Sequence, residues 1–454
     1  MRKVCLFITL IFWAVCSQSF ADVGYYSPGG ISDIFSKRVD MATINAIKGL
    51  EHIRRQFEIA NKDGLKINLD LGPVITKSRP IDQINMIYTG ADGVQKTKIF
   101  SPAIDNKIRA FKSDKDIRSL LTKYLLSIKE YKDSLYSVFL VDEPYLNGVS
   151  KEELERVGRI VRGVLDDLDF KDTKIGVLFA GAMFNSDFAK RSEEASFSYT
   201  EKIDDNYKVR NAKILTLPEA QREQAKRELE IWVDKIKRGR LTTYDASGNM
   251  FTGGGIPYGY DIVAFDFYTS TFLFDGTYED AISWLTHRTA IPQCEGFHRL
   301  KASKFRTALS FFQDGPLSAA DEVRDNDRNI LDKLYDCRIG ATTMLLKEEI
   351  SRLDGLKPEI MLVSESSSNG FLEFSSDGVV ENSQPEMLVR KRVAEEVDRA
   401  IRFYRNHKSD ITHLLFFTFH DAFDDAINLK IGGIASMPEI QVIISGASNR
   451  NNRK

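Results

Sequence analysis

Two acids stand where a buried strand gives way to a turn: Asp142-Glu143 follows Val138-Phe139-Leu140-Val141 and precedes Pro144. Proline ends a strand by withdrawing a ladder donor, and it biases the residue before it, Glu143, towards extended backbone. A carboxyl held half-buried at such a point can have its pKa raised enough to act as a general acid near neutrality. The plainer role for the same residues is to cap the next helix or pair with a surface Lys. Glu365 repeats the pattern, following Ile360-Met361-Leu362-Val363-Ser364 and preceding a Ser-rich, Gly-containing loop; its plainer role is an exposed loop acid. Two carboxyls facing across a cleft are what glycoside hydrolysis uses. One protonates the departing oxygen, and the other attacks the sugar or activates water. A spacing of about 5 to 5.5 Å gives retention of configuration and about 6.5 to 9.5 Å inversion.

Further polar residues close other apolar runs. They are Asp70-Leu71-Gly72, Gly181 with Asn185, Gln313-Asp314-Gly315 and His420-Asp421, while Asp266 and Tyr268 lie within Ala264-Phe265-Asp266-Phe267-Tyr268. Asp70, Asp142, Tyr145, Asp266, Tyr268, Gln313 and His420 are the candidate substrate-binding residues. Asp266 is equally a member of a buried structural network. Tyr25, Tyr26, Tyr145, Tyr268 and Phe272 stand near strand ends, where aromatic rings either stack on sugars or fill the core. His52, His287 and His407 fall on helical segments and are expected to be exposed. His420 with Asp421, Asp424 and Asp425 reads as a solvated loop, so no metal is assigned.

The elements that position these residues alternate along the chain. Expected strands are Val23–Tyr26, Lys66–Leu71, Ser137–Asp142, Lys174–Ala180, Asp261–Tyr268, Phe305–Gln313, Glu359–Ser364 and Thr412–His420. Amphipathic helices are expected over Val39–Asn61, Ile117–Lys132, Lys151–Leu168, Pro218–Arg238, Asp327–Leu353 and Pro385–His407, with Ser150 and Glu153 as a capping box. Near-continuous apolar strands imply burial on both faces, as in parallel sheets. No Gly-rich phosphate loop follows an early strand, and Gly253-Gly254-Gly255 precedes one, which disfavours a nucleotide-binding open sheet. The expected fold is an α/β (β/α)₈ TIM-type barrel with insertions and no cofactor. Ile81–Pro102 reads as a hairpin turning at Tyr88-Thr89-Gly90-Ala91-Asp92-Gly93, and Phe184–Tyr207 and Leu241–Tyr260 as long loops.

Residues 1–21 read as a signal peptide. Arg2 and Lys3 precede an apolar run from Val4 to Cys16, and Ser19-Phe20-Ala21 supplies small residues for cleavage. The run is shorter than the roughly 20 residues a spanning helix needs. Val15 disfavours a lipid anchor at Cys16. The expected location is periplasmic or extracellular, with no membrane association after signal removal. Residues 22–444 form the expected single barrel domain, and 445–454 a disordered basic tail. The net charge is −2 with the signs mixed, which excludes nucleic acid as the evident partner. Cys294 and Cys337 remain after the signal, and in an oxidising compartment they suggest one disulfide.

The layout resembles the (β/α)₈ glycoside hydrolases of the large clan whose fourth strand ends Asn-Glu-Pro and whose seventh ends in a nucleophilic Glu. Asp142-Glu143-Pro144 resembles the first motif, with Asp in place of Asn, and Val363-Ser364-Glu365 the second. The resemblance implies Glu143 as acid/base, Glu365 as nucleophile, Tyr268 orienting Glu365, His420 lining a sugar subsite, and a carbohydrate substrate. Counted along the expected strands, Asp142-Glu143 ends the third; a strand near Ile84–Ile87 would make it the fourth. The competing functions are a non-catalytic barrel that binds glycan or protein, and a hydrolase with a divalent metal on Asp142, Asp266, His420 and Asp421.

Overall fold

A computed structural model describes residues 22–189, 208–238, 254–268, 294 and 324–449, with breaks at 33, 79–83, 90–94, 101–108, 146, 356, 369–371, 375–379, 383–385 and 425–428. Eight parallel strands close into a barrel: β1 Asp22–Tyr26, β2 Met41–Asn45, β3 Lys66–Asp70, β4 Leu135–Asp142, β5 Lys174–Ala180, β6 Ile262–Phe267, β7 Glu359–Glu365 and β8 His413–Phe417. Each pairs with its neighbours in sequence, and β1 meets β8 with Asp22 opposite His413 and Tyr26 opposite Phe417. Helices α1 Leu50–Asp63, α2 Asp114–Ser127, α3 Lys151–Asp167, α4 Glu219–Arg238, α5 Arg324–Ser351, α6 Glu386–Asn406 and α7 Pro438–Ala447 accompany the strands. The capping box of α3 is present, Ser150 and Glu153 each bonding the other's backbone. Among the described residues no helix is long and apolar enough to cross a membrane.

The strand count differs from the sequence expectation at two places. Met41–Asn45 is a barrel strand, although it falls inside the segment expected to be one long helix. It is buried along nearly its whole length and ends in a short 3₁₀ turn, after which α1 begins at Leu50. The eight strands of the closed barrel are all described, and Phe305–Gln313 is not among them; that segment, with Gln313, lies outside the described residues. Asp142-Glu143 therefore ends the fourth strand. Ile84–Thr89 does not supply the missing strand, because it pairs antiparallel with Gln95–Phe100, the expected hairpin.

Side chains alternate in and out along each strand, so the barrel interior is stacked in layers. Between the two ends the interior is mostly apolar, with Met41, Phe139, Leu178, Ala264, Met361, Val363 and Leu415, and one polar patch where Asn68 donates to Thr43 at 3.2 Å and accepts from Ser137 at 2.7 Å. Gly176 on β5 makes room for Phe139, since a Cβ there would lie 2.5 Å from its ring. At the N-terminal end six strand starts form a polar ring. Lys66 reaches Asp22 at 2.9 Å, His413 Nε2 lies 3.0 Å from Glu359, and Lys174 pairs with Glu359. Tyr136 donates to Glu359 at 2.7 Å and receives the Lys174 amine at 2.7 Å. Burial alone would raise the Glu359 carboxyl, but the bonds from His413, Lys174 and Tyr136 outweigh it and hold it at about 2.

Cys294 and Cys337 form a disulfide, with Cys337 on α5. Residues 450–454 of the expected tail lie outside the described residues, and 445–449 belong to the fold. α7 runs through Ala447, Ser448 is buried, and the Asn449 N–H donates to Asp40 at 3.1 Å, which fastens the chain end under β1.

Candidate active site at the barrel mouth

At the C-terminal ends of the strands the inward positions are Tyr26 on β1, Asp70 on β3, Asp266 on β6 with Tyr268 just beyond it, Glu365 on β7 and Phe417 on β8. Asp142 and Glu143 arrive with the end of β4. Parity alone places Glu365, six residues after Glu359 of the basal ring, on the same inner face. The Phe417 ring centre lies 6.0 Å from Tyr26 and 5.6 Å from Tyr268.

Electrostatics tie these groups to one another. Burial raises the Tyr268 hydroxyl well above its ordinary value, and Asp266, Asp142, Glu143 and Glu365 add to the shift. Tyr26 is raised likewise by burial and by Asp142, Asp70, Tyr268 and Glu143. Tyr268 thus has both Glu143 and Glu365 as electrostatic neighbours. Glu365 is 4% exposed. Tyr26, Tyr268 and Phe417 set an aromatic edge beside the acids, a surface suited to the apolar face of a sugar ring.

Glu143 departs from the extended backbone that a following proline favours: its φ is +43°. The cause lies in the turn behind it. The Asn147 side-chain amide donates to the carbonyls of Asp142 at 2.8 Å and Glu143 at 3.1 Å, and the Asn147 N–H donates to Glu143 O at 3.0 Å. That clamp holds a left-handed conformation which costs a non-glycine residue on the order of 1–3 kcal/mol. The result is a half-buried carboxyl directed at β6.

There it meets Asp266. The Asp266 carboxyl, 6% exposed, accepts the Gly181 N–H at 3.1 Å and is hydrogen-bonded to the Glu143 carboxyl. Burial pushes its pKa well up, and the charges of Glu143 and Asp142 push it further. Asp70 is equally buried and accepts the Gly72 N–H at 2.8 Å. Burial raises its pKa to about 7, against the lowering effects of that bond and of Arg109.

Two expected site residues sit elsewhere. Tyr145 is 1% exposed, donates to Gly255 O and packs on Phe179 at 4.9 Å. The turn at Glu143-Pro144 swings it out of the mouth into the layer between barrel and helices, so it is a core residue. His420 packs on Phe419 at 4.9 Å and Phe35 at 6.5 Å, beside Gly29, and its charged neighbours are Lys48 and Asp421. Burial and Lys48 lower its pKa. Asn185 is structural: its amide donates to Glu349 at 2.7 Å and its oxygen accepts the Phe188 N–H. Tyr25 packs against Phe35 and Phe419 in the core, whereas Tyr26 lies at the mouth. Phe272 and His287 lie outside the described residues. Phe417 was not singled out in the sequence, although its place one pairing step from Glu365 follows once β7 and β8 are aligned.

Among the described residues no three His, Cys, Asp or Glu side chains gather as a metal site; Asp142, Asp266, His420 and Asp421 are not brought together. A cavity of about 340 Å³ lies on the barrel flank rather than at the mouth, between Lys151, Asn185, Tyr258, Glu349 and Arg352. Within its lining Arg352 pairs with Glu349 at 3.1 Å, and Lys151 pairs with Glu155 beyond it at 3.5 Å.

No family model matches the sequence, and no curated protein matches it. Among solved structures the chain is similar to PbGH5A, a glycoside hydrolase family 5 enzyme from Prevotella bryantii B14, with TM-score 0.37 and 9% identity over 94% of this chain and 96% of that one. It is also similar to the Ignisphaera aggregans GH53 catalytic domain, with TM-score 0.34 and 10% identity over 92% and 90%. A third neighbour is a fungal β-1,4-galactanase, with TM-score 0.35 and 9% identity over 96% of each chain. At these scores the chain's activity must be argued from its own residues.

Proposed function

We propose that this chain is an exported glycoside hydrolase that cleaves glycosidic bonds in a poly- or oligosaccharide. The observation that carries the reading is the pair of inward acids, Glu143 after β4 and Glu365 ending β7, with Tyr268 as their common neighbour. In this reading a protonated Glu143 gives its proton to the departing glycosidic oxygen while Glu365 attacks the anomeric carbon, forming a glycosyl ester as the old bond breaks. Water then displaces Glu365, and Glu143 takes the proton that water loses. Tyr268 orients Glu365, and Tyr26 and Phe417 flank the sugar. Asp70 and Asp142 are placed to accept from sugar hydroxyls. The positively charged, apolar start of the sequence supports export to the periplasm or beyond, and the Cys294–Cys337 disulfide supports an oxidising compartment.

A second reading, a barrel that holds glycan without cleaving it, is favoured by one residue. Asp142 is an exposed carboxyl at the position where the resembled motif has an amide.

Reducing-end release from a panel of polysaccharides separates the two. The wild-type protein is expected to cut at least one glycan, and Glu143→Gln and Glu365→Gln each to lower the rate by about 10²–10⁴-fold with unchanged melting behaviour. Glycan binding without release of reducing ends would support the second reading and sink the first.

A further inference from the structure

We infer that Asp266 is a positioning residue for Glu143: its carboxyl donates a hydrogen bond to the Glu143 carboxyl and supports the charge Glu143 acquires on releasing its proton. The catalytic half of this statement rests on the glycosidase reading; the carboxyl pair itself does not.

An ionised carboxylate only accepts hydrogen bonds, so two carboxyls bonded to each other must hold at least one proton between them. Asp266 is the member that keeps it. It sits on the inner face of β6 and is 6% exposed, whereas Glu143 is half-buried at the strand end. The groups facing it are the Glu143 and Asp142 carboxyls from the end of β4, the Gly181 N–H after β5 and Tyr268 beyond its own strand. Among the described residues its acidic neighbours are Glu143 and Asp142, so ionising Asp266 would add like charge to that cluster. Burial and those charges together keep the neutral form in place. The Gly181 N–H, bonded to the side chain at 3.1 Å and to the Asp266 carbonyl at 3.2 Å, fixes the carboxyl to the barrel wall.

A neutral donor there has a defined effect on the chemistry. When Glu143 passes its proton to the leaving oxygen it becomes a carboxylate, and the Asp266 hydroxyl stays bonded to it throughout. The Asp266 proton does not leave. The same bond fixes the Glu143 carboxyl in orientation for the second step, when it takes a proton from water. Charge-assisted hydrogen bonds of this kind are short and strong, so the bond strengthens as charge develops on Glu143.

Carbon-13 NMR of protein labelled at the aspartate carboxyl carbon, titrated with pH, tests the pair without any substrate. The resonance missing from Asp266→Asn identifies Asp266. It is expected to keep its protonated shift at pH 7, and in Glu143→Gln to titrate at least about one unit lower because a negative neighbour has gone. Titration of Asp266 in the ordinary aspartate range, or no response to Glu143→Gln, would overturn the inference. On a glycan that the wild-type protein cleaves, Asp266→Ala is expected to lose about 10²-fold in kcat with an altered pH profile, and Asp266→Asn to recover at least tenfold of that. Equal losses in both variants with an unshifted profile would also overturn it. If no glycan is cleaved while the titration is as expected, the glycosidase reading fails and the carboxyl pair stands.

Discussion

Asp70 ends β3 with its carboxyl buried at the barrel mouth, one oxygen on the Gly72 N–H and Arg109 as its charged neighbour. Burial raises its pKa from 3.8 to about 7. Because the folded value is above the unfolded one, the native state binds more protons between those two pH values, and stability falls as pH rises through that window. Asp70→Asn keeps an acceptor for Gly72 and removes the charge. It is expected to be more stable than wild type at pH 8, by on the order of 2–4 kcal/mol, with the advantage gone near pH 4. Denaturant melts at the two pH values check this, and an equal offset at both would contradict it. The residues of the mouth were legible in the sequence to different degrees. Glu143, Asp266 and Glu365 stood out because an acid against an apolar strand needs a reason. The place of Tyr145 in the core is not legible in the sequence, because its direction depends on the positive φ of Glu143, which a following proline disfavours and the Asn147 clamp holds.

The strands and helices of the barrel were legible where their periods were long enough to separate. β4, β5 and β7 are continuous apolar runs, and α3 carries its own capping box, so their limits agree with the pattern to within a few residues. β2 was hidden because Met41-Ala42-Thr43-Ile44-Asn45 is short and almost abuts α1, so one amphipathic window swallowed both. That single strand moves Asp142-Glu143 from third place to fourth. The basal ring went unnoticed for another reason: Asp22, Lys66, Lys174 and Glu359 each look like an ordinary solvated charge at a strand start. Only closure of the barrel brings them together. Glu359 shows what that closure does. Its folded pKa of about 2 is below the ordinary carboxyl value, so its contribution is present above pH 4.5 and is lost as pH falls through 4.5 towards 2. Glu359→Gln leaves Lys174 without its carboxylate partner and His413 with only Asp22 at 3.6 Å, and is expected to cost about 1–3 kcal/mol at pH 7. The deficit relative to wild type should shrink at pH 3, and a deficit independent of pH would contradict the ring's ionic character.

At the scale of the whole molecule the two ends of the barrel divide the work. The base is a ring of oppositely charged groups that pair with one another, with His413 Nδ1 left without a hydrogen bond. The mouth gathers carboxyls of like sign beside three aromatic rings, and burial opposes the ionisation of Asp70 and Asp266. Such a mouth is built at a cost in stability, as sites poised for chemistry are, and conserving charge balance at the base leaves the cost confined to one end. In the proposed glycosidase Glu365 is the nucleophile and Glu143 the proton donor. Azide rescue of Glu365→Ala tests this claim most directly, on an activated aryl glycoside of whichever sugar the polysaccharide panel identifies. The variant is expected to be inactive alone and to regain turnover with azide, releasing a glycosyl azide of inverted configuration. A variant that keeps wild-type turnover without azide would contradict the claim.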